Sequence, residues 1–268
     1  MRYWVVLCGA LSWGLGLGES EKLITIAQGQ VGFIPLPENA RTATYYDKRV
    51  TVVSDNNGST AILGVPLNNK PVVEELRLFD AEDQPLSSIK FQVIEKNYGI
   101  DYLTITNKRF ADPTDEDLIR AKKEQELIFS IISKWEDGMP AIRLSLPAEG
   151  KKSGQYGTRR VINRVERSPH KGLDIANVEG TQLYAPADST VVYAGDMFYT
   201  GNTVILAHGQ SLYTLYGHLQ SIEVQENAII KKGQLFGTMG MTGRVTGSHV
   251  HISLYLNQVS VDPLLLFK

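Results

Sequence analysis

A chain of 268 residues, 43% hydrophobic and 21% charged, has room for two ordinary domains and excludes a disordered or collagen-like chain. Its formal net charge of −2 lacks the basic excess of a nucleic-acid binder, so no nucleic-acid partner is expected. A single cysteine, Cys8, excludes an internal disulfide framework.

The chain begins with one basic residue, Arg2, followed by an apolar, glycine-rich run to Gly18. That run is short for a membrane span, which needs about 20 apolar residues. Residues 1–18 read as a secretory signal peptide with Gly16-Leu17-Gly18 as the small-residue cleavage site, the alternative being an uncleaved N-terminal anchor. Export to the periplasm or cell envelope, or secretion, is expected. Cys8 would leave with the signal.

Residues 19–110 read as a β-sandwich-like domain. Leu23–Gln28, Arg49–Ser54, Thr60–Val65 and Ile89–Ile94 are rich in β-branched residues and partly alternate, with turns at Asp55-Asn-Asn-Gly58 and Asn68-Asn69. Residues 111–150 read as a helix and linker. The helix should run from Asp115 to about Trp135, with Thr114 as its cap and Asp117 placed as in a capping box. Leu118, Ala121, Ile128, Ile131, Ile132 and Trp135 share one face, as a core-packing stripe does. Pro140 to Gly154 looks like a boundary.

Residues 151–268 read as β throughout, with strands at Thr190–Gly195, Thr203–His208, Leu212–Tyr216 and Val250–Leu256 and no helix of convincing length. The fold expected is therefore mainly β, an N-terminal sandwich-like domain followed by a second β domain, with one notable helix between them. Residues 151–268 carry 11 basic against 8 acidic residues, and residues 19–150 carry 15 against 21. A mildly basic second half suits an anionic polymer, and ordinary surface variation explains it equally well.

All five histidines fall in this second half: His170, His208, His218, His249 and His251. His170-Lys-Gly-Leu-Asp174 and His249-Val-His251 carry metal-ligand side chains at spacings that share a strand face. Four of these groups converge only if the two strands are neighbours. A catalytic zinc takes three protein ligands and leaves one position open, so the set has imidazoles to spare for proton transfer.

At these residues the chain resembles the lysostaphin-type (LytM-like) zinc metallopeptidases, the endopeptidases of bacterial peptidoglycan. The likeness covers about residues 150–268 through Tyr156-Gly-Thr-Arg-Arg, Ser168-Pro-His-Lys-Gly-Leu-Asp-Ile-Ala, Gly201-Asn-Thr-Val, Leu215-Tyr-Gly-His-Leu, Gly240-Met-Thr-Gly-Arg-Val-Thr-Gly-Ser-His-Val-His and Val261-Asp-Pro. It implies an antiparallel peptidase sheet holding one zinc ion through His170, Asp174 and His251, with His218 and His249 acting in catalysis on peptidoglycan. Residues 23–150 are similar to the β-rich N-terminal region of some secreted members. The family's final pair usually sits in Gly-Pro-His-Leu-His followed by an aromatic and often Glu, whereas this chain has Ser248, Val250, Ile252 and Ser253. A non-catalytic scaffold of the same fold that activates another hydrolase is the alternative, as is a peptidase for proteins or a competitor's wall. His208 reads as structural or as support behind the site in preference to a direct role, and Asn202 as a turn residue, the alternative being that it positions substrate. Arg159 and Arg160 either meet peptide carboxylates or form a solvated pair. The N-terminal half, with its opposite charge balance, is a candidate regulator of the active groove.

Overall fold

The computed structural model describes residues 23–268, and the expected signal over 1–18 lies outside them. Two small sheets form from residues 24–94. One orders its five strands as Ile24–Ala27, Ile89–Ile94, Val73–Phe79, Thr42–Tyr45 and Lys48–Arg49. The other places Gly58–Gly64 between Val31–Leu36 and Thr51–Asp55. They close sandwich-like on Ile34, Ala61, Leu63, Leu76, Phe91 and Val93. Val73–Phe79 was not anticipated: Glu74, Glu75 and Arg77 interrupt its apolar residues, and only Leu76 and Leu78 are buried.

The strand Gly58–Gly64 is buried on both faces. Ala61 and Leu63 enter the N-terminal core, while Ile62 joins Leu173, Ile252, Leu254 and Val261 in the core of the second half. Two side-chain amides repeat the bond. Asn257 accepts from Gly64 N at 2.7 Å and donates to Gly64 O at 3.3 Å, and Gln210 accepts from Val52 N at 2.8 Å and donates to Val52 O at 3.0 Å. Ile100–Leu103, expected with the N-terminal domain, instead pairs in parallel with Arg159–Ile162, which forms a hairpin with Val165–Arg167.

The helix spans Asp115–Ile132, and Thr114 Oγ1 caps it by accepting from Asp117 N at 3.2 Å. The Asp117 carboxylate does not close a capping box; it pairs with Arg109 at 2.6 Å. Ile128, Ile131 and Ile132 pack on Met197, Ile205, Tyr213 and Leu215. Leu118 lies on the same stripe yet is 49% exposed, because the sheet supports only the C-terminal turns.

The second half is a ten-stranded antiparallel sheet. Its main path runs Lys151–Gly154, Leu173–Ala176, His249–Leu256, Tyr213–Ile222, Gly201–Ala207, Ser189–Met197 and Ile229–Ile230. After Gly150 the described helical structure is a single 3-10 turn, Pro263–Leu265. The chain is thus mainly β, with one long helix. No described helix is long and apolar enough to cross a membrane.

Candidate metal centre

The strand His249–Leu256 lies between Leu173–Ala176 and Tyr213–Ile222, so the two halves of the histidine motif are neighbours. Asp174 sits opposite His251 on one side, and Gly217 sits opposite it on the other. Alternation turns His249 and His251 to the same face. His170 is not on the strand with Asp174; it precedes Leu173–Ala176, and the turn at Lys171-Gly172 brings it over. A Cβ on Gly172 would lie 2.5 Å from His251 Cε1, so only glycine lets the turn pass this close.

Three donor atoms meet there. His251 Nδ1 is 2.8 Å and His170 Nε2 3.0 Å from Asp174 Oδ1, and the two nitrogens are 3.0 Å apart. Each ring is fixed from behind. His170 Nδ1 donates to Gln155 O at 2.9 Å, which leaves Nε2 with its lone pair toward the centre. His251 Nε2 meets Ser253 Oγ at 2.9 Å, so Nδ1 is the inward nitrogen. Ser253 occupies a position where the family motif often carries Glu, and it supplies the ring's outer hydrogen bond.

Burial works against the Asp174 carboxylate, but hydrogen bonds with His170 and His251 outweigh it and hold the group well below the usual carboxylate range. Burial pushes His251 down to about 4 against the pull of Asp174. Burial, aided by His249 and His251, pushes His218 down to about 3. Neutral imidazoles beside an ionised carboxylate are the protonation states that bind a metal. Two imidazole nitrogens and one carboxylate oxygen within 4.8 Å of one another fit a zinc ion by number, spacing and chemistry.

His218 is aimed by a fault in its strand. Gly217 and His218 together stand opposite Thr203, a bulge flanked by the Tyr216–Val204 and Leu219–Asn202 pairs. The backbone of His218 takes φ +67°, a left-handed value that costs a non-glycine residue about 1 kcal/mol or more. Its N–H is held by Thr200 O at 2.6 Å, and its Nδ1–H donates to Thr242 O at 2.8 Å. His249 Nδ1–H donates to Gly247 O at 2.8 Å. Both rings therefore keep Nε2 as the available basic atom, and their centres are 4.7 Å apart.

Asp174, His218, His249 and His251 line a cleft of about 240 Å³. Asp101, Leu103 and Ile105 form part of one wall, and Arg160 and Arg244 also face it. The arginine pair divides. Arg159 is 58% exposed and bonded to Glu166 at 2.7 Å, while Arg160 is 23% exposed and turned inward. His208 is buried away from the cleft against Thr214 Oγ1 at 2.7 Å. Asn202 lies on a strand, not in a turn, and donates to Gln220 O at 3.2 Å. Sequence reasoning overlooked Arg244 and the 101–105 wall. The signal for Arg244 was a lone cation in the Gly240–Gly247 loop leading into His249-Val-His251.

Profiles of two families match the chain: Peptidase family M23 over residues 168–263 and the Peptidase family M23 N-terminal domain over residues 27–96. The solved structure of a Pseudomonas aeruginosa protein assigned to peptidase M23 superposes with a TM-score of 0.73 at 30% identity, covering 90% of this chain and 93% of that one. Peptidoglycan DD-endopeptidase ShyA of Vibrio cholerae is 36% identical over 123 residues, 46% of this chain and 29% of its own. The murein hydrolase activator NlpD of Escherichia coli is 34% identical over 119 residues, 44% of this chain and 29% of its own. The matches thus span less than a third of either curated relative, and those relatives include both an endopeptidase and an activator.

Proposed function

Because the chain belongs to peptidase family M23, we propose that it is a zinc-dependent endopeptidase that hydrolyses amide bonds in the stem peptides or cross-links of peptidoglycan, in cell-wall remodelling. The observation that carries this reading is the convergence of His170 Nε2, Asp174 Oδ1 and His251 Nδ1 beside two further imidazoles. Those three atoms would hold one zinc ion, which supplies Lewis acidity toward water and toward a carbonyl oxygen.

The residues of the chain do the rest. Asp174 lends negative charge to the ligand set, and Gln155 O and Ser253 Oγ keep the two ligand rings from rotating. His218 and His249 present Nε2 atoms to the cleft, each positioned to take a proton from the attacking water and return it to the departing amine. Burial keeps His218 neutral, so it enters the reaction able to accept a proton. Burial of His218 strengthens its action on charge that develops at the scissile carbonyl.

The alternative role, activation of a separate hydrolase, belongs to NlpD among the relatives. What supports the enzymatic reading here is a donor set with every position filled. Purified protein is expected to release muropeptides from sacculi, to lose that activity in a strong chelator and to regain it with zinc. Mass spectrometry of the released fragments would identify the bond. Zinc-loaded protein that leaves sacculi intact, yet stimulates a second hydrolase, would overturn the enzymatic reading in favour of the activator. The expected exported location follows from the substrate, and fractionation of cells expressing a tagged chain tests it.

A further inference from the structure

The N-terminal half carries a crevice that shares no lining residue with the metal cleft. It opens where two paired strands part. Thr42–Tyr45 pairs with Val73–Phe79 only as far as Thr44 opposite Arg77, then turns back through Tyr46 and Asp47. Val73–Leu76 runs on, paired with Ile89–Ile94 alone. The space left is about 510 Å³, within the roughly 300–1,000 Å³ of a small-ligand pocket.

Tyr46 is the unexpected residue of this crevice. It takes φ +48° and Asp47 takes φ +59° in a two-residue hairpin turn, a conformation that selects asparagine, aspartate or glycine. A bulky ring there costs about 1 kcal/mol or more, and burial does not offset it, because Tyr46 is 60% exposed. Its hydroxyl donates to Glu74 Oε1 at 2.7 Å, and the same carboxylate accepts from Asn69 Nδ2 at 2.8 Å and from the Tyr45 hydroxyl. The Tyr45 ring backs it, with centres 4.5 Å apart. The chain thus fixes an aromatic ring in place and leaves it open to solvent. Strained residues of this kind cluster at ligand sites.

The remaining lining decides the class of ligand. Asp47, Glu74 and Glu75 stand against Arg77 and Lys90, and Asp47 is paired with Arg77 at 2.7 Å. That near balance disfavours a polyanion, and the two cations repel an ammonium that the rings would attract. A neutral, hydroxyl-rich ligand with an apolar face fits instead. A pyranose lays its C–H bonds on an aromatic ring, while its hydroxyls donate to carboxylates and accept from guanidinium and ammonium. Glu75, Arg77 and Lys90 offer those partners on exposed positions beside the ring. We propose that this crevice is a sugar-binding site, separate from the metal cleft, that seats an acetylated amino sugar of a glycan strand on Tyr46. The choice of that sugar rests on the reading of the chain as a peptidoglycan peptidase; the site itself does not.

The test titrates the β-1,4-linked N-acetylglucosamine tetramer, which carries no stem peptide, into the full-length protein by isothermal titration calorimetry. Wild type is expected to bind it. Tyr46→Asn suits the left-handed turn and removes the ring, and should bind about tenfold more weakly while far-UV circular dichroism stays that of wild type. Glu75→Gln, at an exposed position, should also weaken binding and serves if the first variant misfolds. No binding by wild type, or undiminished binding by either folded variant, would overturn the proposal. A sugar-free cross-linked stem dimer whose binding weakens in Tyr46→Asn would overturn it in favour of a peptide ligand. Hydrolysis of that dimer by zinc-loaded protein separates the two ideas. Glycan binding without hydrolysis sinks the peptidase reading and leaves the sugar site standing; hydrolysis without glycan binding does the reverse.

Discussion

Ser253 illustrates how one hydroxyl replaces a larger support. Its Oγ lies 2.9 Å from His251 Nε2, and Ser253 is buried behind the half-buried ring. Hydrogen bonds behind a metal ligand set its tautomer and orientation, and losing one lowers affinity by about 10- to 100-fold. Ser253→Ala is expected to weaken zinc binding within that range, as measured by competition with a chromophoric chelator, while circular dichroism stays unchanged. Undiminished affinity would detach Ser253 from the ligand. His208 makes a different prediction. Burial holds it down to about 3, against an ordinary value of 6.5. As pH falls below 6.5, the unfolded chain takes up a proton that the folded chain refuses until about 3. Folding stability therefore drops across that window by up to about 1.4 kcal/mol per pH unit from this group alone. Urea unfolding of metal-free His208→Gln should show a shallower acid slope than wild type between those limits. Identical slopes would refute the assignment.

At the level of elements, the helix Asp115–Ile132 separates what periodicity reveals from what it hides. A stripe at helical spacing is visible in the sequence, but the chain alone does not say which turns a sheet will cover. Ile131 and Ile132 are buried on Ile205 and Tyr213, while Leu118, nearly four turns earlier, faces solvent. Ile132→Ala should cost about 2–5 kcal/mol by thermal or urea unfolding. Leu118→Ser should stay within about 0.5 kcal/mol. The same limit applied to the strands. Ile89–Ile94 and Gly58–Gly64 were legible from β-branched residues, whereas Thr42–Tyr45 and Val73–Phe79 owe their place to pairing with each other. The histidine motif was legible because its residues are close in sequence and carry rare chemistry. The bulge at Gly217–His218 and the orientation of Arg244 were not, because each depends on a partner from another segment, Thr203 and Tyr199; nor was the inward nitrogen of His251, which depends on the side-chain geometry of Ser253 two residues on.

Across the whole molecule, the two halves share structure where two separate domains were expected to meet at a boundary. Val31 and Ile62 are buried in the core that also holds Leu173, Ile252 and Leu254. The Asn257 and Gln210 amides are bonded to N-terminal backbone, and Gln30 reaches Asp262 at 3.3 Å. Removing the N-terminal half would uncover the surface of two aliphatic residues at about 1.5–3 kcal/mol each. It would also exchange the amide hydrogen bonds to that backbone for bonds to water, a loss of about 0.5–1.5 kcal/mol each, against a total stability of about 5–15 kcal/mol for a typical domain. The intact chain should therefore melt in one calorimetric transition, and residues 151–268 alone should melt far lower or aggregate. Two resolved transitions, or a fragment as stable as the whole, would show that the halves fold independently. This bears on whether the N-terminal half regulates the cleft. Loss of activity in a truncated chain would confound shielding with unfolding, so access must be probed in the full chain. Leu103 and Ile105 border the cleft from the N-terminal side. If that wall restricts entry, the full-length double variant Leu103→Ala, Ile105→Ala should lower KM for muropeptide dimers with kcat little changed; a raised KM would mean that the wall binds substrate and does not shield it.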